Sequence, residues 1–188
     1  MRTFDESTHT YRIDGRKVPS VTQVLGDLIP GWKASEWYLN RGQAVHACAA
    51  MIARGIEFEH DPQIDGQVRA CRKFFAEVKP VVHNVETAMY SEKYQYAGTY
   101  DLFGELDGRL IVFDWKASIS PALPYQLAAY ALESNVVNYG CGVVLKETGE
   151  YSMTEIYDLR RYKQGWLSLL GAYNIRRKCG IKEEGKEE

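Results

Sequence analysis

The chain has 188 residues, 45% hydrophobic and 26% charged, with a net charge of −2. This is the balance of a globular protein with room for one core, and it excludes a disordered or fibrous chain. It also gives no global attraction to nucleic acid, so binding of that kind must use local basic patches.

THTYRIDGRKVPSVTQVL reads as a hairpin turning at Asp14-Gly15, residue types that tolerate positive φ, followed by a helix from about Ser20. A second helix covers about Asn40 to Arg54, carries His46 and stops at Gly55, a residue suited to a left-handed cap. A third has Asp61 as N-cap and Pro62 as its first residue, with Ile64, Val68, Cys71, Phe75 and Val78 recurring at helical spacing as a core stripe. Three strand-like runs follow, VVHNVETAMYS, YQYAGTYDLFGEL and RLIVFDWKA. The last two are joined by the favoured turn Asp107-Gly108, which predicts an antiparallel meander. Pro121 and Pro124 introduce a helix through about Ser134, on which Gln126 and Tyr130 share a face. YGCGVVLKE and YSMTEIYDL read as two strands turning at Gly149, and a last helix runs from after Asp158 to about Lys178. This order predicts an α/β sandwich around a mixed sheet, one domain over residues 1–180, and a charged, disordered tail over 181–188.

The third strand-like run ends on Asp114-Trp115-Lys116. Alternation puts Asp114 and Lys116 on one face, with Leu110 and Val112 before them, and Ile111, Phe113 and Trp115 on the other. An apolar face that turns charged at one end suggests a cleft. The triplet alone says little, because Glu77-Val78-Lys79 and Glu184-Gly185-Lys186 repeat it in a helical stretch and in the tail. Its partner strand says more. Asp101 lies six residues before Asp107 and Asp114 six after Gly108, so the two should lie opposite each other across the hairpin. Opposed like charges destabilise a sheet unless a cation lies between them. Two facing carboxylates with a lysine nearby suit a hard divalent cation such as Mg²⁺.

His46 shares a helix face with the small residues Ala49, Ala50 and Ala53, which would let a sheet edge approach. A lone histidine there reads equally as a metal ligand or as a core residue. His9, His60 and His83 have no comparable context and read as surface residues. Cys48, Cys71, Cys141 and Cys179 form no C-x-x-C pair, which argues against a structural zinc site or a disulfide framework. Basic residues gather in LRRYKQGW and NIRRKCGIK, which include Arg176 and Arg177 and read as a nucleic-acid patch or as a solvated helix face. No apolar run approaches the roughly 20 residues of a membrane span. The opening MRTFDESTHTYRIDG has acids and no apolar core, so the expectation is a cytoplasmic protein with no membrane contact.

GTYD, then IVFDWKAS, then PYQLAAYA together resemble the PD-(D/E)XK nuclease superfamily in its RecB-like exonuclease branch. The likeness extends upstream to GQAVH, and VPSVTQVL is similar to the opening of phage-type and mitochondrial-genome-maintenance-type exonucleases. The resemblance implies a restriction-endonuclease-like α/β core with a mixed central sheet. It implies Asp101, Asp114, His46 and the Trp115 backbone carbonyl as ligands of Mg²⁺ or Mn²⁺, with Glu86 binding metal or holding a water. Lys116 would position or deprotonate the attacking water, helped by a pKa depressed beside the cation. Gln126 and Tyr130 would face the cleft, with Gln126 bonding a metal ligand or a DNA phosphate. Cysteine placement departs from relatives that carry an iron-sulphur cluster, so none is expected. Nor does the chain contain a G-x-x-x-x-G-K-[ST] loop.

The implied activity is metal-dependent hydrolysis of DNA by a bacterial or phage-encoded exonuclease. It would prefer single strands or free ends and work beside recombination, replication or repair proteins. An endonuclease on the same core, or a binding module that has lost catalysis, are the alternatives; the latter would usually lack Asp114 or Lys116.

Overall fold

The computed structural model describes residues 1–6, 8–29, 36–134 and 136–181. The charged end of the chain from residue 182, expected to be disordered, lies outside the described residues.

A three-stranded antiparallel sheet opens the chain, formed by β1 (Arg2–Asp5), β2 (Thr10–Ile13) and β3 (Arg16–Val18). The Asp14-Gly15 turn is where it was expected, and both residues have positive φ, 48° and 76°. The sequence reading missed β1. Its four residues alternate too briefly to stand out, and Phe4 becomes a strand residue by pairing with Tyr11.

Helix α1 (Val21–Leu28) starts on a capping box, in which Ser20 accepts from the Gln23 amide while the Gln23 side chain accepts from the Ser20 amide. Helix α2 (Glu36–Ala53) begins earlier than expected. Asp61 and Pro62 open a short 3₁₀ turn (Pro62–Ile64) that leads into α3 (Asp65–Val78). The expected stripe on α3 shifts by one residue at its centre: Phe74 is fully buried and Phe75 only partly so.

The main sheet is ordered β4 (Val81–Ser91), β5 (Tyr96–Leu106), β6 (Arg109–Lys116), β7 (Tyr139–Leu145) and β8 (Tyr151–Met153), with β9 (Tyr157–Asp158) also pairing to β7. Strands β4 to β6 form the antiparallel meander, whereas β6 and β7 run parallel, so the sheet is mixed. The parallel pair needs a crossover, and α4 (Leu123–Tyr130) lies within it. Helix α4 ends at Tyr130 rather than near Ser134, and α5 (Arg160–Lys178) closes the fold.

Helices cover both faces of the sheet. Ile111, Phe113 and Trp115 of β6 pack with Ala49 of α2 and with Cys71 and Phe74 of α3. Val112 packs on the other face with α1, α4 and α5, through Val24, Leu127 and Trp166. The alternation read from the sequence therefore holds: Asp114 follows Val112, and Trp115 continues the opposite face.

Gly98 of the GTYD segment has a steric role. A Cβ there would stand 2.8 Å from the Tyr130 ring and 3.1 Å from Val21. The bare backbone lets α4 and α1 close over β5 beside Asp101. Gly98→Ala is therefore expected to destabilise the protein by about 1–3 kcal/mol through overpacking, read as a fall of several degrees in thermal melting. Wild-type melting would show that Tyr130 swings away without cost.

Candidate active site

Register brings three acids to one level. Val85 pairs with Leu102 and Thr87 with Tyr100, so Glu86 lies opposite Asp101; Leu102 pairs with Phe113, so the next residues, Asp101 and Asp114, also lie opposite each other. The row Glu86–Asp101–Asp114 thus crosses β4, β5 and β6. Counting ladder alternation from the two-residue turn at Asp107-Gly108 makes Asp101 and Asp114 a non-hydrogen-bonded pair, the kind in which side chains come closest.

The ladder ends at this point. The Trp115 amide donates to Asp101 Oδ2 at 2.7 Å instead of to a strand carbonyl, and the end of β6 pairs with β7, Asp114 opposite Gly142. Asp101 and Asp114 are both buried, with relative exposures of 6% and 2%. Buried carboxylates of like charge require compensating cations, and two side chains supply them. Lys116 Nζ forms an ion pair with Asp114 Oδ2, and His46 Nδ1 lies 3.0 Å from Asp101 Oδ1.

The electrostatics follow from burial and these neighbours. Burial opposes charge on the His46 imidazole, but the charge and hydrogen bond of Asp101, with help from Asp114, outweigh it and raise the group to about 9. Burial raises the Asp114 carboxyl, and Lys116 opposes that rise. Glu86 is pushed up to about 7, first by burial and then by the charge of Asp101. Burial works to lower Lys116, yet Asp114 and Asp101 hold it above its ordinary value where no cation is bound. The depression expected from a neighbouring cation is opposed here by two carboxylates.

Glu86 reaches the row through an irregular backbone. Its φ is 47°, a left-handed value rare for a residue without a special role. Arg54, beyond the end of α2, donates from Nη2 to the Val85 carbonyl at 3.1 Å, and the Thr87 hydroxyl donates to the same oxygen at 3.3 Å. These bonds anchor the chain where it departs from regular strand. Glu86 Oε1 is buried and has no hydrogen-bond partner among the described residues.

That orphaned oxygen tests whether the residues fit a divalent cation. His46, Glu86 and Asp101 each present a ligand atom within 4.8 Å of the others. Carboxylate oxygens with one imidazole suit Mg²⁺ or Mn²⁺, and a cation would give Glu86 its missing partner. The residues fit.

The row borders a cleft of about 1010 Å³ whose lining includes Gly42 and His46 of α2, Ser20 and Thr22 at the start of α1, Gln126 and Tyr130 of α4, and Lys116. Gln126 Nε2 donates to the Tyr130 hydroxyl at 3.1 Å, a bond within α4 that uses one of its two amide hydrogens. A second cavity of about 390 Å³ also reaches His46 and Lys116 and is lined by Arg41, Gln67 and Lys146.

Arg176 and Arg177 are not brought to this place. Arg176 Nε lies 3.1 Å from Asp27 Oδ2 of α1, and Arg177 stacks over Tyr173 and donates to its hydroxyl. They line neither cavity. The Arg176–Asp27 contact joins α5 to α1, whereas Arg177 and Tyr173 are an i,i+4 pair within α5. His9, read as a surface residue, is exposed but lines the main cleft together with Phe4 and Tyr11. Cys48, Cys71 and Cys141 are buried free thiols, and burial, then Cys48, pushes Cys71 up to about 12.

Glu86→Gln is expected to raise or preserve the melting temperature of the metal-free protein, since it removes one of three clustered charges. It should also shrink the stabilisation produced by added Mn²⁺. A variant that melts lower in EDTA and gains as much from Mn²⁺ as the wild type would remove Glu86 from the site. His46→Ala should shift the ratio of Mn²⁺ to Mg²⁺ affinity toward Mg²⁺, because imidazole favours the softer ion. An unchanged ratio in calorimetric titrations would argue for a packing role.

No protein-family model matches the chain, and neither does any curated protein sequence. Among solved structures it is similar to an alkaline exonuclease, LHK-Exo, from Laribacter hongkongensis, at 12% identity and a TM-score of 0.41, over 87% of this chain and 94% of that one. It is similar also to LHK-Exo in complex with dAMP, at 12% identity and a TM-score of 0.42, over 87% and 93% of the two chains.

Proposed function

We propose that the chain is a Mg²⁺- or Mn²⁺-dependent deoxyribonuclease that hydrolyses phosphodiester bonds, acting as an exonuclease on single strands or free ends in recombination or repair. The row Glu86–Asp101–Asp114 on the cleft wall, with Lys116 paired to its last member, carries this reading. A buried run of carboxylates is costly unless a cation joins it, and a cation held there beside a lysine would offset negative charge developing on a substrate.

Asp101, Asp114 and Glu86, with His46 and the Trp115 carbonyl, would hold the cation. When bound, the ion would acidify water and offset charge growing on the phosphate. The protein's own groups supply position. The Trp115 amide and His46 fix both oxygens of Asp101, which orients that carboxylate before any ligand arrives. Lys116 Nζ, held by Asp114, would orient the attacking water, or deprotonate it once a bound ion lowers its pKa, and would meet charge on the scissile phosphate. Gln126 braces Tyr130, and the Tyr130 ring closes the wall above Gly98. Arg176 and Arg177 have no part in this reading.

End-labelled linear DNA and closed circular DNA, each incubated with Mg²⁺, Mn²⁺ or EDTA, test the proposal. The expected result is metal-dependent shortening of linear strands while circles persist; nicked circles would point to an endonuclease. Lys116→Ala should slow cleavage by about a hundredfold or more, while Ca²⁺-supported binding of a labelled oligonucleotide survives. Such a split marks an interaction made in the transition state. Full turnover by Lys116→Ala would reduce Asp114 and Lys116 to a structural ion pair.

A further inference from the structure

The wall of the cleft nearest the N-terminus is aromatic, and nothing in the acid cluster uses it. Phe4 of β1 faces Tyr11 of β2 in register, and their rings stack with centroids 4.4 Å apart and planes 20° apart. His9, held with a φ of 48° in the turn before β2, sets its ring edge-on to both, at 5.3 Å from Phe4 and 5.4 Å from Tyr11. Tyr11 is buried, and its hydroxyl is fixed to the Thr99 hydroxyl at 2.8 Å. Phe4 remains half-buried and His9 exposed, and all three line the cleft that contains the acids.

Register places this wall beside the reaction centre. Thr99 and Asp101 share a face of β5 and stand about 7 Å apart at the rise of a strand. That is about two nucleotide steps of a stacked strand. Charge then decides what could sit there. The cleft carries the acids Glu6, Glu86, Asp101 and Asp114, while its cations among the described residues are Lys116, Arg54 and His46, two of them paired to Asp114 and Asp101. A phosphate has little to attract it to the Phe4 side. A neutral, flat group does, because aromatic faces take any base by stacking, without sequence preference.

We propose that Phe4 and His9, backed by Tyr11, form a stacking subsite for an unpaired nucleobase one or two nucleotides from the phosphate at the acid cluster. This rests on the nuclease reading and adds a reason for preferring single strands, since a base in a duplex has no free face to offer. Phe4 and His9 are specificity residues here; neither touches the reacting atoms.

The test uses the full chain and oligodeoxynucleotides bearing 2-aminopurine near one end, whose fluorescence falls when the base stacks. Binding is followed with Ca²⁺ and cleavage with Mn²⁺, each on the normal strand and on a strand with abasic positions in place of the end bases. Phe4→Leu, which keeps apolar bulk without a π face, and His9→Ala should lose the quench and raise KM for the normal strand about tenfold. kcat should stay near wild type, and cleavage of the abasic strand should be unchanged. Phe4→Trp should restore the quench. Equal losses on both strands, or an unchanged quench in Phe4→Leu and His9→Ala, would overturn the subsite. Quenching that depends on Phe4 in a protein that cleaves neither strand would uphold the subsite and reject the nuclease reading. Cleavage without any such quench would do the reverse.

Discussion

Everything at this site answers to one constraint, the repulsion among carboxylates held at a single register level of a sheet. Glu86, Asp101 and Asp114 occupy adjacent strands, and two of them are nearly removed from water. Such a row is unfavourable unless cations neutralise it. In the metal-free protein the neutralisation comes from Lys116 on Asp114 and His46 on Asp101, and both bases are held above their ordinary values by it. Glu86 Oε1 has no hydrogen-bond partner among the described residues, and burial, then the charge of Asp101, pushes the carboxyl up to about 7.

The surrounding fold makes this arrangement mechanically possible. Phe113 and Trp115 anchor one face of β6 in the α2–α3 core and Val112 anchors the other, so Asp114 and Lys116 are fixed without contributing to packing. The β5 ladder stops at Phe113 while β6 stays paired to β7, which frees the Trp115 amide to bind Asp101. Gly98 removes the side chain that would have kept Tyr130 and α1 away from β5. On β4, the bonds of Arg54 and Thr87 to the Val85 carbonyl secure the backbone that presents Glu86.

Much of this was legible in the sequence because the governing rules are short-range. Alternation fixed the faces of β6, and counting from Asp107-Gly108 placed Asp101 opposite Asp114. Both use only the period of a strand and the geometry of a two-residue turn. The helix start near Ser20 and the start of α5 after Asp158 were local in the same sense. What was missed depends on contacts between distant segments. The left-handed backbone at Glu86 has no local signature, because glutamate is not a residue that invites it. His46 read as ligand or core until the fold brought it to Asp101, fifty-five positions away. Arg176, in the basic run at the end of α5, pairs with Asp27 of α1, a contact between distant segments that the run of basic letters does not show. Phe4 and His9 carried no motif, and only the pairing of β1 with β2 sets them on the cleft wall.

Where a divalent ion binds is the property of this protein to measure first. Crystals grown with Mn²⁺ and measured for anomalous scattering would locate it without reference to activity. The expected result is a peak at the acid row, about 2 Å from oxygens of Asp101 and Asp114 and near Glu86 and His46, with the Lys116 ammonium moved off Asp114. Saturating Mn²⁺ with no peak at the row, and with Lys116 and His46 still paired to their aspartates, would show that the protein neutralises these acids by itself and would contradict the account.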